Sequence, residues 1–177
     1  AAPDPRRAVA AMVETGVLAR ILPEAEAGAV FRRLCDLTPD PVLRLAGLVP
    51  ADPDGLRALS VRLRLSNTVR DRLVAAAVAA AVVRPDMSDR TARAAVYRLG
   101  GQAVRDGLMR HRADGGGSPA DVDRLEALIA SWTVPALPVG GRDLARLGVA
   151  PGPETGRLLK AFEAGWIADD FHAGGHE

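Results

Sequence analysis

The sequence predicts an all-α protein, and three observations support this. Hydrophobic residues make up 48% of the chain and aromatic residues only 3%. Ala and Leu dominate, which favours packed helices over strands. Apolar residues recur at helical spacing, whereas no alternating strand pattern of useful length occurs. Helix start and stop residues punctuate the apolar segments. We expect stacked antiparallel helical pairs with a small C-terminal helical subdomain.

Each expected helix has its own start or stop signal. Pro5 opens the first helix, which ends at Gly16. Five later N-cap signals are Asp40, Asp52, Ser66, Ser88 and Ser118, the two Asp residues each being followed by Pro at the first helical position. The other helices are expected at residues 24–37, 41–49, 53–63, 67–83, 89–99, 102–111, 119–132, 142–147 and from 153 onward.

A proline-rich connector marks the best domain boundary. Pro135 and Pro138 predict an extended segment ahead of the last two helices. We therefore expect a first helical region over residues 1–37, a helical body domain over 38–133 and a helical tail subdomain over 134–177.

Composition narrows the range of functions. There are 23 basic and 22 acidic residues, so the chain has no global basic field. Cys35 is the only cysteine, which excludes a disulfide within the chain. The longest apolar run, residues 73–83, is too short to cross a bilayer. We expect a soluble, cytoplasmic protein with no membrane partner, no metal cluster and no cofactor of its own.

The tail carries the most informative motif. A short helix stops at Gly148, a Pro-Gly-Pro turn follows, and a second helix opens with small residues at Gly152 and Gly156. An open helix N-terminus offers unpaired N–H groups and a positive dipole to an anion. Arg157 and Lys160, the only lysine, follow on one face of that helix. With Arg142, these residues predict a contact with nucleic-acid phosphates.

The same residues allow a second interpretation. Pro and Gly are ordinary capping residues. Five apolar residues have the spacing of a small core: Leu144, Leu147, Leu158, Leu159 and Phe162. The segment is then a simple helical hairpin.

A second group of basic residues surrounds one expected turn. Arg62 and Arg64 end one helix, and Arg70 and Arg72 begin the next. Four arginines around one turn predict a local positive patch despite the small net charge, and arginine suits bidentate phosphate contacts. Each one taken singly is also consistent with solvated surface.

Four segments, in order along the chain, resemble one enzyme family. They are residues 3–24, PDPRRAVAAMVETGVLARILPE; residues 62–73, RLRLSNTVRDRL; residues 94–106, AAVYRLGGQAVRD; and residues 141–159, GRDLARLGVAPGPETGRLL. They are similar to the neck end, body and tail of the bacterial tRNA nucleotidyltransferase / poly(A) polymerase family, which includes the CCA-adding enzymes. No single segment is a catalytic signature.

The resemblance implies tRNA as a partner. In that family the body and tail hold tRNA while an N-terminal head adds nucleotides to its 3′ end. The head uses a Gly-Gly-x-x-Arg-Asp loop and an Asp-x-Asp pair to hold Mg²⁺ and CTP or ATP. That loop and the nucleotide-selecting Glu-Asp-x-x-Arg motif do not occur here. We therefore expect an inactive C-terminal portion of a longer protein, whose missing N-terminal head domain is a second partner.

Two other functions remain open at this point. The chain could be a structural scaffold or a dimerisation module without direct RNA contact, which the small net charge favours, and a homo-oligomer is possible. It could also bind DNA through a helix–hairpin–helix at residues 151–156, although only one such hairpin is present.

Overall fold

The computed structural model describes residues 3–172. This part of the chain consists of helices joined by loops and contains no strand. Eleven helices follow one another between those residues: α1 Arg6–Glu14, α2 Val17–Ile21, α3 Ala29–Leu37, α4 Pro41–Leu48, α5 Pro53–Arg62, α6 Asn67–Val82, α7 Asp89–Leu99, α8 Gly101–Ala113, α9 Pro119–Ser131, α10 Gly141–Arg146 and α11 Pro153–Ala168. The predicted all-α class is confirmed.

Capping side chains are present at three of the helix starts that the sequence predicts. The carboxylate of Asp40 accepts from the N–H of Val42 at 2.9 Å, and that of Asp52 accepts from the N–H of Gly55 at 2.9 Å. The hydroxyl of Ser66 accepts from the N–H of Val69. Each contact satisfies an N–H that the first turn of a helix leaves without a partner.

The structure differs from the expected helices near the beginning of the chain. Gly16, at φ +71°, ends α1 as expected, but the short α2 begins at the next residue. The helix expected from residue 24 starts only at Ala29. Tertiary contacts explain the delay, because the N–H of Glu26 donates to the carbonyl of Leu48 at 2.6 Å. A local spacing pattern cannot reveal that long-range bond.

The chain divides into two compact units, Ala1–Ser131 and Trp132–Glu177. The core of the first unit collects apolar side chains from α1 to α6 and includes the buried Cys35, whose thiol pKa is raised by burial. Helices α6 and α8 approach most closely at Gly107, where a Cβ would lie 3.0 Å from Ala79. The separation expected at residue 37 stays a prediction.

The second unit has an aromatic core rather than the expected leucine core. The rings of Trp132 and Trp166 lie 5.0 and 5.1 Å from the ring of Phe171, centroid to centroid. Leu147 is 79% exposed and Phe162 41% exposed. The core expected from helical spacing was therefore wrong for these two residues, because the unit buries Trp166 and half-buries Trp132 instead.

No helix among residues 3–172 is both long enough and apolar enough to be a membrane-span candidate.

Candidate nucleic-acid interface

The tail unit contains a helix–turn–helix whose turn is closed by backbone hydrogen bonds. At the end of α10, Gly148 adopts φ +86° and its N–H donates to the carbonyl of Ala145 at 3.0 Å. The N–H of Val149 donates to the carbonyl of Leu144, also at 3.0 Å. This pair of bonds is a Schellman motif, which reverses the chain sharply. The hydroxyl of Thr155 then donates to the carbonyl of Ala150 at 2.9 Å and fixes the start of α11.

The N-terminus of α11 is open. A Cβ added at Gly152 or Gly156 would meet no atom within 4 Å. Gly152 has φ 164°, an extended value that any residue adopts. No side chain caps this helix. No side chain therefore covers Gly152 and Gly156 or caps the first turn, and an anion can approach the N–H groups of that turn.

Three cationic side chains of the tail are solvent-exposed. Within residues 3–172, neither the guanidinium of Arg142 nor the ammonium of Lys160 has a hydrogen bond or ion pair. The side chain of Arg157 is 76% exposed and pairs with Glu154 one turn earlier on α11, at 2.5 Å. Exposed pairs of this kind contribute little to stability, so a phosphate can replace Glu154 as the partner of Arg157.

The arginines predicted to form a patch in the first unit have four different environments. Arg62 is bound to the protein: its Nη1 donates to the carbonyl of Ile21 at 3.0 Å and its Nη2 pairs with Glu24. Partial burial opposes the ionisation of Glu24, but hydrogen bonds from its own backbone N–H and from Arg62 hold its pKa below the ordinary value. Arg62 therefore ties α5 to the segment after α2.

Arg72 is the most firmly bound of the four. Its Nε donates to Oδ2 of Asp106 at 2.8 Å, and its Nη2 donates to Oδ2 of Asp40 at 2.6 Å. The hydrogen bond with Asp106 raises the pKa of the guanidinium. Arg72 thus joins α6 to α8 and to the start of α4, and it is not available to a phosphate without leaving these carboxylates.

Neither Arg70 nor Arg64 is tied to a distant part of the chain by a hydrogen bond or ion pair among residues 3–172. Arg70 makes only local contacts, with Asp71 at 2.8 Å and the side-chain oxygen of Asn67 at 3.1 Å. Arg64 is exposed, and within the described residues its guanidinium contacts no hydrogen-bond or ion-pair partner. Of the four arginines, Arg64 is thus the one whose charge is not paired with another group of the described chain.

Two exposed arginines on α8 were missed by the sequence reasoning. Arg105 and Arg112 are exposed and, within residues 3–172, have no hydrogen bond or ion pair. They are seven residues apart, which places them on one face of the helix. The seven-residue spacing of Arg105 and Arg112 could have predicted from the sequence that they share a helix face.

Two Asp-x-Asp sequences occur in the chain, and both serve helix starts. Asp52 caps α5, and Asp54 pairs with Arg57 within that helix. Asp121 accepts a hydrogen bond from the hydroxyl of Ser118 at 2.6 Å in the first turn of α9, where Asp123 follows. Among residues 3–172 no group of three or more His, Cys, Asp or Glu side chains could hold a metal ion.

Comparison with known proteins assigns no family. No protein-family model matches the chain, and no curated protein matches it. Its function is therefore inferred from the residues of the chain itself.

Proposed function

We propose that this chain is the tRNA-holding body and tail of a CCA-adding tRNA nucleotidyltransferase / poly(A) polymerase family protein. It positions tRNA for nucleotide addition at the 3′ end. Nucleotide transfer requires a head domain with Mg²⁺ and CTP or ATP, and this chain supplies binding rather than catalysis. The ordered resemblance of residues 3–159 supports the proposal.

The open N-terminus of α11 is the observation that carries the proposal. The N–H groups of Glu154 and Thr155, which no side chain caps, lie in the same helix as the exposed Arg157 and Lys160. Helix N-termini and cationic side chains are the groups that proteins use to contact phosphate oxygens. The exposed Arg142 at the start of α10 adds a third cation to the unit.

Backbone N–H groups and cationic side chains are suited to recognising the shape and backbone of RNA rather than its sequence. Phosphate contacts position a nucleic acid without reading its sequence. A-form RNA displays its backbone and 2′-hydroxyls more readily than its base edges. A protein that must accept every tRNA benefits from contacts of this type.

The test measures binding of the full chain to unfractionated tRNA over a salt series. We expect affinity to fall steeply with salt and the double variant Arg157→Glu/Lys160→Glu to bind at least about tenfold more weakly, with a salt slope smaller by about 2. The double variant Arg7→Glu/Arg57→Glu changes the net charge equally and serves as the matched control. Absence of salt-dependent binding by the unmodified chain contradicts the proposal.

A structural scaffold is the second candidate function. Val13, Val17 and Ile21 are four residues apart in α1 and α2 and are 51%, 40% and 50% exposed. Large exposed apolar side chains on neighbouring helices are candidates for a protein–protein contact. If the chain forms a dimer in solution that Val17→Glu disrupts, and binds no tRNA, the scaffold is the correct function. Competition by duplex DNA at equal affinity would instead favour a helix–hairpin–helix DNA binder.

A further inference from the structure

The turn between α5 and α6 is a Schellman motif with an arginine at its left-handed position. The N–H of Arg64 donates to the carbonyl of Val61 at 3.1 Å, and the N–H of Leu65 donates to the carbonyl of Ser60 at 2.9 Å. Arg64 has φ +53°, in the region where a Cβ is strained. Glycine is the usual residue at this position.

The same motif recurs in the chain with more suitable residues. The turns after α8 and α10 place Gly115 and Gly148 at the left-handed position, with φ +83° and +86°. The turn after α11 places Asp170 there, at φ +55°. Glycine has no strain in this region and Asp tolerates it. At this position of the four turns, Arg64 is therefore the least favourable residue, although Phe171, which follows Asp170, also has a positive φ of +65°.

The fold gains no hydrogen bond or ion pair from the Arg64 side chain, as far as residues 3–172 are concerned. Its guanidinium is exposed and, throughout residues 3–172, neither hydrogen-bonded nor ion-paired. A cation near a helix C-terminus does favour the dipole, but Arg62 in the last turn of α5 already supplies one. A strained residue whose side chain makes no hydrogen bond or ion pair within the described chain indicates a role outside the fold.

We propose that Arg64 contacts a backbone phosphate of bound RNA and is retained at this position in spite of its backbone strain. This inference rests on the proposed function and adds a contact from the first unit. It also reduces the number of arginines in the predicted patch that can bind RNA, because Arg62 and Arg72 are held by carboxylates of the protein.

Opposite effects on stability and binding test the proposal in the full chain. Arg64→Gly and Arg64→Asn remove the charge and relieve the strain. We expect Arg64→Gly to raise the Tm of the first unit by about 2–4 °C. The same variant should bind unfractionated tRNA about fivefold or more weakly, with a salt slope smaller by about 0.9. Arg64→Lys keeps the charge and should bind close to the unmodified chain.

The matched control is Arg57→Gln, which removes an exposed arginine from α5, the helix that precedes the Arg64 turn. Unchanged tRNA affinity in Arg64→Gly, a lower Tm in that variant, or an equal loss of affinity in Arg57→Gln each overturns the proposal. If Arg64→Gly weakens binding while Arg157→Glu/Lys160→Glu does not, the Arg64 contact stands and the tail contact fails. If the unmodified chain binds no tRNA, both fail.

Discussion

Arg72 on α6 and Asp106 on α8 form a partly buried ion pair, in which Nε donates to Oδ2 at 2.8 Å and Nη2 donates to Oδ1 at 3.1 Å. Asp106 is only 2% exposed, and it also accepts a hydrogen bond from the side-chain amide of Gln102 at 2.8 Å. The carboxylate of Asp40 accepts a second hydrogen bond from the same Nη2, at 2.6 Å. This network joins three helices of the first unit.

Removal of Arg72 should strongly destabilise the first unit. Arg72→Ala leaves the carboxylate of Asp106 buried without its cation, and loss of one partner of a buried pair costs about 3–5 kcal/mol. Arg70→Ala on the same helix removes an exposed pair and should cost about 1 kcal/mol or less. Urea unfolding followed by far-UV circular dichroism measures both values. Equal effects of the two variants would show that the ion pair contributes nothing beyond a surface contact.

The pH dependence of stability should include a contribution from Asp40. Burial opposes its ionisation, but hydrogen bonds from Arg72 and from the N–H of Val42 lower its pKa below the ordinary value. A carboxyl with a lowered pKa in the folded state stabilises above its unfolded pKa of about 4 and loses that stabilisation as pH falls through the folded value. We expect the free energy of unfolding to decrease below about pH 4.

Asp40→Asn isolates this contribution, because Asn caps a helix as well as Asp does. The variant should lose about 2 kcal/mol at neutral pH and show a weaker decline on acidification. A decline as steep as in the unmodified chain would assign the acid sensitivity to other carboxyls, such as Asp4, whose pKa is lowered to about 2 by hydrogen bonds from Arg6.

Two helical glycines should respond in opposite directions to a methyl group. At Gly107 a Cβ would lie 3.0 Å from the backbone and the Cβ of Ala79, and backbone cannot move aside cheaply. Gly107→Ala should destabilise by about 1–3 kcal/mol. At Gly165 a Cβ meets no atom within 4 Å, and Gly165→Ala should stabilise α11 by about 0.5–1 kcal/mol. Thermal unfolding distinguishes the signs.

Gly156→Ala should separate stability from RNA binding in the tail. A Cβ at this position in α11 is unobstructed by protein, so Ala stabilises the helix by about 0.5–1 kcal/mol. The methyl group would occupy the space through which a phosphate approaches the helix N-terminus. We expect weaker tRNA binding together with a higher Tm of the second unit. A higher Tm with unchanged affinity would place the phosphate elsewhere.

Tryptophan fluorescence should report on the second unit alone. The two tryptophans of the chain, Trp132 and Trp166, both lie in that unit and both contact the ring of Phe171. Phe171→Ala removes this shared ring and should lower the midpoint of the fluorescence transition. The circular dichroism transition, dominated by the longer first unit, should move little. Coincident shifts of both transitions would show that the two units unfold as one.

Helix starts were predictable because their signals are local. Asp40, Asp52 and Ser66 bond N–H groups only two or three residues away, and a sequence displays such spacings directly. The start of α3 was not predictable, since it depends on a bond between Glu26 and Leu48. The candidate site shows the same contrast. Residues 152–160 were identified from their spacing, whereas the different states of Arg64 and Arg72 required knowledge of their neighbours.

The sequence by itself determined the helical class, most helix boundaries and the exposed glycine-rich turn of the tail, because propensity, capping and turn formation act over a few residues. The tertiary structure alone decided which cations remain available. It buried Asp106 beside Arg72 and left Arg64 without a protein partner among residues 3–172. The reason is physical: a charge is available to a ligand only where packing brings no opposite charge within hydrogen-bond distance, and packing joins residues far apart in the chain.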